Sequence, residues 1–484
     1  MILVEISRGN LPEVWCFWGT SGVNSRKWGV LGGLPGINLG PWALSVLLLL
    51  ALYASISPLM KNMFKNIVLF LLKRFAKRRM KKFKGKVICV TGSVGKTSIK
   101  EAIYTVLNSK FRVMKNPGNM NTEFGLPLTI LKMESGYSSA VKWSYLLLKG
   151  FYKSFRPMYG EVLVVETGVD KPGDMDVLLS IVKPDVAVMN LVAPVHLDEG
   201  QFSTLDEIFE EKSKLVKALN EDGFAVLNVD DERVKKLTGG RAKGKTHTFG
   251  ENPEAMYKAT SIEETLEGTS FNLSAEGRRI EAQIPVLGAH SVPVLLPAIV
   301  CGRIMGMTLE ETLEAAKRMA LPPGRLNLIE CAVEGAVVVD SSYNSSPKSC
   351  VASLKTLSNL KPRSGGRKIA ILGNMNELGE NAERLHKEVG AHIPDSCDIL
   401  VTVGKMAKHF AEIAEDKGMK KIFQYTNTQE CIAEFKDKIQ ENDIILVKGS
   451  QNNVRLERFV KEVMKYPEQA SDLLVRQGKH WQKF

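Results

Sequence analysis

The stretch "KVICVTGSVGKTSIKEAIYTVL", residues 86–107, decides the fold of this chain. Residues 87–90 form an apolar run that is typical of a buried parallel strand, and apolar residues recur at helical spacing from Ile99 onward. Gly92 and Gly95 lie between them, where the backbone must bend sharply. Because the start of the new helix presents unpaired N–H groups and a positive dipole end, this turn suits a phosphate group.

Two side chains in the turn strengthen the phosphate interpretation. Lys96 offers a mobile charge to the outer phosphates of a nucleotide, and the Thr97 hydroxyl can ligate magnesium beside them. The strict Walker pattern lacks its first glycine, since Val90 occupies that position. The loop favours nucleotide phosphate over an ordinary glycine turn.

Similar apolar runs follow at residues 162–166, 185–190 and 224–229, with helix-like stretches between them. This alternation predicts a parallel sheet covered by helices, in which ligands bind at the carboxyl ends of the strands. Glu166 ends one of these strands, so its carboxylate can hold the magnesium ion that Thr97 contacts. The alternative is an ordinary surface acid at a strand end.

Lys212 is the most informative single lysine in the sequence. Thr204 and Glu207 match a capping box, and the helix that they open places Lys212 on its apolar face. A lysine held against apolar surface is biased towards the neutral amine, which can add carbon dioxide to become a carbamate, an anionic metal ligand. His196, in the preceding loop, would supply a neighbouring ligand. The alternative is a lysine whose stem packs while its ammonium reaches water.

The net charge of +12 is concentrated upstream of this region. Residues 61–86 contain eleven Lys or Arg and no acid, so the globular part is close to neutral and nucleic-acid binding is not expected. Residues 41–60 contain no charged residue and approach the roughly 20 residues needed to span a bilayer. We therefore expect a single-pass transmembrane helix at 41–60, a basic juxtamembrane segment at 61–85 and catalytic domains in the cytoplasm. A buried or re-entrant hairpin with residues 67–72 is the alternative.

The 484 residues accommodate about two or three domains. After an N-terminal segment, 1–40, and the basic segment, we predict a central domain at 86–322 with a β-ribbon within 240–290, and a second domain at 323–484. Apolar runs recur in the second domain at 336–340, 368–373, 399–404 and 444–449, a dinucleotide-fold-like alternation without the glycine fingerprint. The seven cysteines are scattered, which indicates reduced thiols and no metal spacing.

The predicted fold class is therefore α/β. It comprises a central P-loop parallel-sheet ATPase domain and a C-terminal Rossmann-like domain, preceded by a transmembrane helix.

Nine ordered segments carry a resemblance to a known family. They read VTGSVGKTSIKE, NPGNMNTEFGLPLTIL, VVETGV, PVHLD, EKSKL, PPGRLNLIE, VVVDSSYNSSPKS, AILGNMNELGE and ILVKGS. In order and approximate spacing they resemble the Mur ligase family, most closely its members that add D-alanyl-D-alanine to a muramoyl tripeptide. The resemblance implies ATP-dependent, ADP-forming amide synthesis: a substrate carboxylate takes the γ-phosphate of ATP, and an amine attacks the acyl phosphate.

The resemblance also implies roles for particular residues. The ATP site would comprise Gly92, Ser93, Val94, Gly95, Lys96, Thr97, Ser98, His290, Arg325, Asp340 and Asn344. Two magnesium ions would be bound, one by Thr97 and Glu166 and one by His196 and Lys212 as N6-carboxylysine. The catalytic residues would be Lys96, Glu166, His196 and Lys212. The carboxylate substrate would meet Asn119, Asn121 and Glu123.

Several positions depart from the family pattern. Ser291 and Val294 stand where asparagines usually contact adenine, and Asn374, Ser346 and Gln451 change the part that would bind the incoming amine. The usual N-terminal domain that binds uridine diphosphate is replaced by the expected membrane segment.

Two alternatives follow from that replacement: the acceptor is UDP-linked, or it is a lipid-linked or polymeric acceptor such as poly-γ-glutamate. The changes at Ser291, Val294 and Gln451 favour a third alternative, an inactive nucleotide-binding scaffold. The expected partners are a sugar-peptide or other carboxylate, an amine, and a membrane contacted through residues 41–85. We expect a monomer.

Overall fold

The computed structural model describes residues 58–118, 120–136, 139–194, 201–239, 245–450, 454–478 and 481. They belong to two compact units. One is drawn from residues 1–68 and 136–148, and its described part is helical. The other comprises residues 69–135 and 149–484 and holds both β-sheets.

The first sheet has nine strands in the order β2-β3-β1-β4-β5-β6-β7-β8-β9. Their bounds are β1 (Lys86–Thr91), β2 (Val113–Lys115), β3 (Val162–Glu166), β4 (Val186–Met189), β5 (Phe224–Asn228), β6 (Lys245–Gly250), β7 (Tyr257–Thr265), β8 (Gly268–Ala275) and β9 (Arg278–Ile284). Strands β1 to β7 pair in parallel, whereas β7, β8 and β9 form an antiparallel ribbon. The predicted parallel sheet and the predicted ribbon are both confirmed.

The helices of this part of the chain are α1 (Pro58–Met80), α2 (Lys96–Leu107), α3 (Gly125–Leu131), α4 (Ala140–Ser154), α5 (Asp174–Leu179), α6 (Leu205–Lys217), α7 (Glu232–Lys235), α8 (Ser291–Ile304) and α9 (Leu309–Ala316). Of these, α2, α3, α5, α6, α8 and α9 cover the two faces of the sheet. One apolar core lies between the sheet and helices α2, α8 and α9, and a second lies under α3, α5 and α6. Because both faces are buried, the central strands are apolar along most of their length, with polar residues at their ends.

The second sheet has six strands in the order β10-β11-β15-β12-β13-β14. Their bounds are β10 (Asn327–Glu330), β11 (Val337–Ser341), β12 (Lys368–Gly373), β13 (Ile399–Val403), β14 (Ile422–Tyr425) and β15 (Ile444–Lys448). The helices are α10 (Pro347–Asn359), α11 (Ala382–Gly390), α12 (Lys408–Asp416), α13 (Thr428–Phe435), α14 (Glu457–Val463) and α15 (Ala470–Leu473). Strands β11 to β15 pair in parallel, as predicted, and β10 joins β11 in antiparallel register.

The second half of α1 contradicts the predicted juxtamembrane segment. Leu72 and Ala76 are fully buried, and Ala76 belongs to the core that contains Leu126. Arg79 is also buried, and its guanidinium donates to the backbone carbonyl of Ile130 at 2.9 Å. The apolar residues of this segment therefore pack on protein, and a basic residue among them is hydrogen-bonded to backbone carbonyls.

The predicted spanning segment, residues 41–60, lies outside the described residues except for its last three. Among the described residues, no helix is both long enough and apolar enough to cross a bilayer. Helix α1 has 23 residues, but seven of them are Lys or Arg. On this finding the prediction of a membrane-anchored localisation, with membrane contact through residues 41–85, was wrong.

A buried carboxylate organises the end of the second sheet. Glu457 is fully buried and accepts from Arg476 at 2.9 and 3.0 Å and from Arg455 at 3.2 Å. Arg476 also donates to the carbonyls of Ser342 and Tyr343, at 2.6 and 3.1 Å. The C-terminal segment thereby holds the loop that follows β11.

We expect the substitution Glu457→Gln to lower the free energy of unfolding by about 3 kcal/mol, because two guanidinium groups lose their buried counter-charge. Urea unfolding followed by circular dichroism measures this loss. The matched control is Glu462→Gln, an exposed acid on the same helix, which should change the free energy by less than about 0.5 kcal/mol. Equal stability of the two variants would contradict the assigned role of the buried carboxylate.

Candidate active site

The turn after β1 has the conformation that its glycines predict. Gly92 and Gly95 have φ values of 145° and 78°, in the region that side chains disfavour. A Cβ on either glycine would lie 3.0–3.1 Å from atoms of Asn190. Helix α2 begins directly after Gly95, so its free N–H groups face the turn.

Neighbouring strand ends hold this turn in place. The Ser93 N–H donates to the carbonyl of Leu191 at 2.8 Å, and its hydroxyl donates to Ala193 at 3.0 Å. The Asn190 amide donates to the carbonyl of Val94 at 3.0 Å, and Asn228 donates to the Asn190 oxygen at 2.7 Å. Sequence analysis missed both asparagines, although each lies at the end of a predicted strand.

Thr97, Glu166 and Asn121 meet beside the turn. The Thr97 hydroxyl donates to Glu166 Oε2 at 2.8 Å, and the Asn121 amide donates to Oε1 at 2.9 Å. Glu166 is only 2% exposed, so both oxygens of a buried carboxylate are oriented by protein. The structure thus brings together one expected metal-binding pair and one expected acceptor-binding residue.

Asn116 connects these groups to the segment that follows β2. It is fully buried, its Oδ1 accepts from the Glu166 N–H at 2.9 Å, and its amide donates to the carbonyl of Met120 at 3.0 Å. Of the other expected acceptor residues, Asn119 lies outside the described residues, and Glu123 pairs with Lys73 at 3.8 Å. Sequence analysis did not single out Asn116.

Two lysines at the site have lowered pKa values. Burial lowers the pKa of Lys96, while the carboxylates of Glu166 and Asp170 oppose the shift. Lys212 is 1% exposed, and burial together with the positive charge of Lys96 lowers its pKa to about 7. Lys212 lies on the buried face of α6 as predicted, whereas its expected partner His196 is outside the described residues.

The loop after β11 contributes a second group of polar side chains. Asp340 is fully buried, and burial raises its pKa to about 6. Its Oδ1 accepts from the Ser342 N–H at 3.0 Å, while Oδ2 has no hydrogen-bond partner among the described residues. The guanidinium of Arg325 lies 4.7 Å from the ring centre of Tyr343, and Asn344 is exposed in the same loop.

Lys448, at the end of β15, is a buried cation that sequence analysis did not assign. Its ammonium donates to the Ser341 hydroxyl at 3.2 Å and to the Asn344 carbonyl at 3.1 Å. Burial lowers its pKa to about 8, and the charge of Arg325 acts in the same direction. The only available signal in the sequence was a lysine inside the predicted apolar run 444–449.

The residues expected near adenine lie at the start of α8. His290 precedes the helix and makes no capping hydrogen bond with its side chain. The Ser291 hydroxyl donates to the carbonyl of Leu287 at 2.6 Å, and Val294 is buried in the core. The Ser291 hydroxyl is therefore engaged by the backbone of its own turn.

The donor set beside the turn suits magnesium. Among the described residues, no group of three or more His, Cys, Asp and Glu side chains is placed to hold a metal. Thr97 and Glu166 offer hard oxygen atoms, and magnesium is usually bound by one or two protein oxygens with the remaining positions filled by phosphates and water. This pair fits a magnesium–nucleotide complex better than an all-protein metal site.

Comparison with known proteins agrees with this geometry. Residues 90–142 and 146–302 match the Mur ligase middle domain, and residues 324–451 match the Mur ligase, glutamate ligase domain. The UDP-N-acetylmuramoyl-tripeptide–D-alanyl-D-alanine ligase of Bacillus subtilis is 31% identical over 398 residues, covering 82% of this chain and 79% of that protein. The enzyme of the same name from Escherichia coli is 28% identical over 371 residues, covering 76% and 74%.

A solved structure of a similar protein also matches most of this chain. The MurF ligase of Thermotoga maritima, in complex with ADP, superposes with a TM-score of 0.67 at 27% identity, covering 83% of this chain and 84% of that chain. From these matches and the site geometry, the chain belongs to the Mur ligase family and is an ATP-dependent amide-bond ligase of cell-wall precursor synthesis.

Proposed function

We propose that the chain joins D-alanyl-D-alanine to the free carboxylate of a UDP-linked muramoyl tripeptide, with ATP converted to ADP and phosphate. The observation that carries the proposal is the similarity to the Bacillus subtilis enzyme of that name over 82% of this chain. The arrangement of Thr97, Glu166 and Asn121 supports it, because it places a nucleotide site next to a segment expected to meet the acceptor.

The nucleotide binds with its phosphates over the turn after β1. The free N–H groups at the start of α2 donate to phosphate oxygens, and Lys96 supplies a cation beside the outer phosphates. Thr97 and Glu166 would hold a magnesium ion, which would neutralise phosphate charge there. Glu166 is already oriented by two side-chain donors, so little rearrangement is needed on binding.

Residues of the second sheet complete the nucleotide site. Arg325 provides a charge for phosphate, and the free Oδ2 of Asp340 is a suitable acceptor for a ribose hydroxyl. Asn344 lies in the same loop, whose backbone is held by Arg476 and Lys448. We propose that this part closes over the nucleotide during turnover.

The chemistry follows from positioning the acceptor carboxylate against the terminal phosphate. The carboxylate oxygen forms a bond to phosphorus while the bond to the leaving ADP oxygen breaks, which gives an acyl phosphate. The amine of D-alanyl-D-alanine then attacks the acyl carbon, the bond from that carbon to the phosphate oxygen breaks, and the proton lost by the amine leaves with the phosphate. Lys96 and Arg325 lower the repulsion between these anions as they approach.

Lys212 is suited to become N6-carboxylysine. Its pKa of about 7 leaves a large share of neutral amine at neutral pH, and the product carbamate is an anion beside Lys96. We propose that this carbamate and His196 hold a second magnesium ion. The position of Lys212 on the apolar face of α6 would then be explained, because its side chain would be the precursor of a metal ligand.

Carbamate formation requires the neutral amine, so it should increase as the pH rises through about 7. With ¹³C-labelled carbon dioxide, we expect a protein carbamate resonance at pH 8 that is lost in Lys212→Met. The matched control Lys217→Met, which changes an exposed lysine at the end of the same helix, should retain the resonance. Identical spectra for the wild-type chain and Lys212→Met would refute carbamylation.

The function is tested with the purified full chain, ATP, magnesium, UDP-N-acetylmuramoyl tripeptide and a panel of amines. We expect a product heavier than the tripeptide by D-alanyl-D-alanine minus water, formed together with ADP. A product of another mass would reassign the amine. Absence of product with every amine, at full nucleotide binding, would overturn the proposed substrates.

A further inference from the structure

Lys100 is a fully buried lysine that the nucleotide site does not use. It lies one helical turn after Lys96 in α2 and is 0% exposed. Lysines are very rarely buried to this extent, because removing an ammonium from water is costly unless it is paired and hydrogen-bonded. An apolar side chain would fill the same space without that cost, so the ammonium calls for an explanation.

The ammonium of Lys100 is directed at the segment after β2. It donates to the carbonyl of Asn116 at 2.8 Å and to the carbonyl of Gly118 at 3.3 Å, and it lies 3.4 Å from Glu101. Two carbonyls separated by one residue thus converge on a single charge. Charge-assisted hydrogen bonds of this kind fix backbone direction more strongly than neutral ones.

The backbone that Lys100 holds belongs to the expected acceptor segment, defined here as residues 116–118 and 120–123. Within it, Asn116 bonds both the Glu166 N–H and the Met120 carbonyl, and Asn121 donates to the Glu166 carboxylate. Glu166 in turn accepts from Thr97. The helix that starts at the nucleotide turn is therefore tied to the acceptor segment at two places, through Thr97 and Glu166 and through Lys100.

We infer that Lys100 is a positioning residue for the carboxylate substrate: it holds the acceptor segment at a fixed distance from the nucleotide turn. The inference rests on the proposed function, since that function assigns the segment to the acceptor. The role is distinct from that of Lys96, whose ammonium lies 3.3 Å from the Ser93 carbonyl within the turn itself. Loss of the Lys100 contacts should therefore weaken acceptor binding and leave nucleotide binding intact.

Lys115 provides a matched control. It also pairs with Glu101 and lies 3.9 Å from the ring centre of Tyr104, but its side chain is 30% exposed and belongs to β2. Lys115→Met and Lys100→Met both remove one positive charge beside Glu101. Only Lys100→Met removes the donors to the Asn116 and Gly118 carbonyls.

The test compares the wild-type full chain, Lys100→Met, Lys115→Met and Lys100→Arg, with thermal unfolding measured for each. We expect Lys100→Met to raise KM for the UDP-linked tripeptide, and its dissociation constant by calorimetry, by about tenfold or more. KM for ATP should stay within about twofold. Lys115→Met should match the wild-type chain, and Lys100→Arg, which keeps the donors, should recover most of the acceptor affinity.

The outcomes distinguish failure of the positioning role of Lys100 from failure of the proposed function. If the wild-type chain makes no product, the proposed substrates are wrong. If it does, and Lys100→Met binds the tripeptide as Lys115→Met does, the positioning role is overturned. Equal losses for ATP and tripeptide would also overturn it. If Lys100→Met does not fold, Lys100→Gln, which keeps one amide donor, gives the same comparison.

Discussion

Replacing Lys96 with alanine should reduce the rate of ADP formation by about a thousandfold, the largest effect expected for any single substitution in this chain. Lys96 is the first residue of α2, and its ammonium lies within the turn that receives the phosphates. Without this cation, the phosphate and the approaching carboxylate repel each other at the moment when the acyl phosphate forms. Coupled assay of ADP release at saturating ATP measures the change in kcat.

Lys110→Ala is the control for that experiment. Lys110 lies just beyond the end of the same helix, is exposed, and pairs with Glu311 at 2.8 Å, away from the turn. We expect its turnover to equal that of the wild-type chain. A rate for Lys96→Ala within about tenfold of the control would mean that the turn after β1 is not where the transferred phosphate lies.

Replacing Glu166 with glutamine should lower kcat by about a hundredfold and raise the magnesium concentration needed for half-maximal turnover. Glutamine keeps the shape of the side chain, but an NH2 group, which only donates, replaces one of the two carboxylate oxygens. The side chain can then no longer accept from Thr97 on one atom and from Asn121 on the other, and the negative charge beside Lys96 is lost. Magnesium titration of ADP formation distinguishes weak metal binding from a general loss of activity.

Two observations make the Glu166 result interpretable. Glu161→Gln changes an exposed acid shortly before the same strand, whose carboxylate accepts from the Arg112 N–H at 2.9 Å, and it should show wild-type magnesium dependence. The melting temperatures of Glu166→Gln and Glu161→Gln are measured as well, so that a loss of stability is distinguished from weak magnesium binding. If both variants show the same magnesium dependence, Glu166 is not a metal ligand.

The strands were predictable because they are buried on both faces. Residues 162–166 and 368–373 were predicted as apolar runs, and the strands β3 and β12 have those same bounds. An uninterrupted apolar run can be recognised without knowledge of its neighbours. Lys212 was predictable for a related reason, since its helix has a regular apolar face.

Helix α1 shows where such patterns are ambiguous. An apolar stretch with basic residues is expected both for a segment at a membrane surface and for a helix that packs on a protein core. Leu72 and Ala76 are buried against protein, and no local feature of the sequence distinguishes that environment from lipid. Knowledge of the partner surface was required.

The missed site residues have a common cause. Asn116, Asn190 and Lys448 are single polar residues next to buried strands or in short loops, and their roles depend on groups far away in the sequence. Lys100 lies in a helix pattern where a lysine is ordinarily assigned to water. Periodicity identifies faces of helices and strands, but it does not identify which distant carbonyl a side chain will reach.

The strand order has a consequence for how copies of this chain behave at high concentration. The outer strands of the two described sheets are β2, with three residues, β10 and β14, with four each, and β9, which contains the charged residues Arg278, Arg279 and Glu281. Short or charged outer strands are poor templates for the addition of a foreign strand. Copies of this chain at high concentration therefore present each other with no long apolar outer strand in the described sheets, and we expect little aggregation through strand pairing.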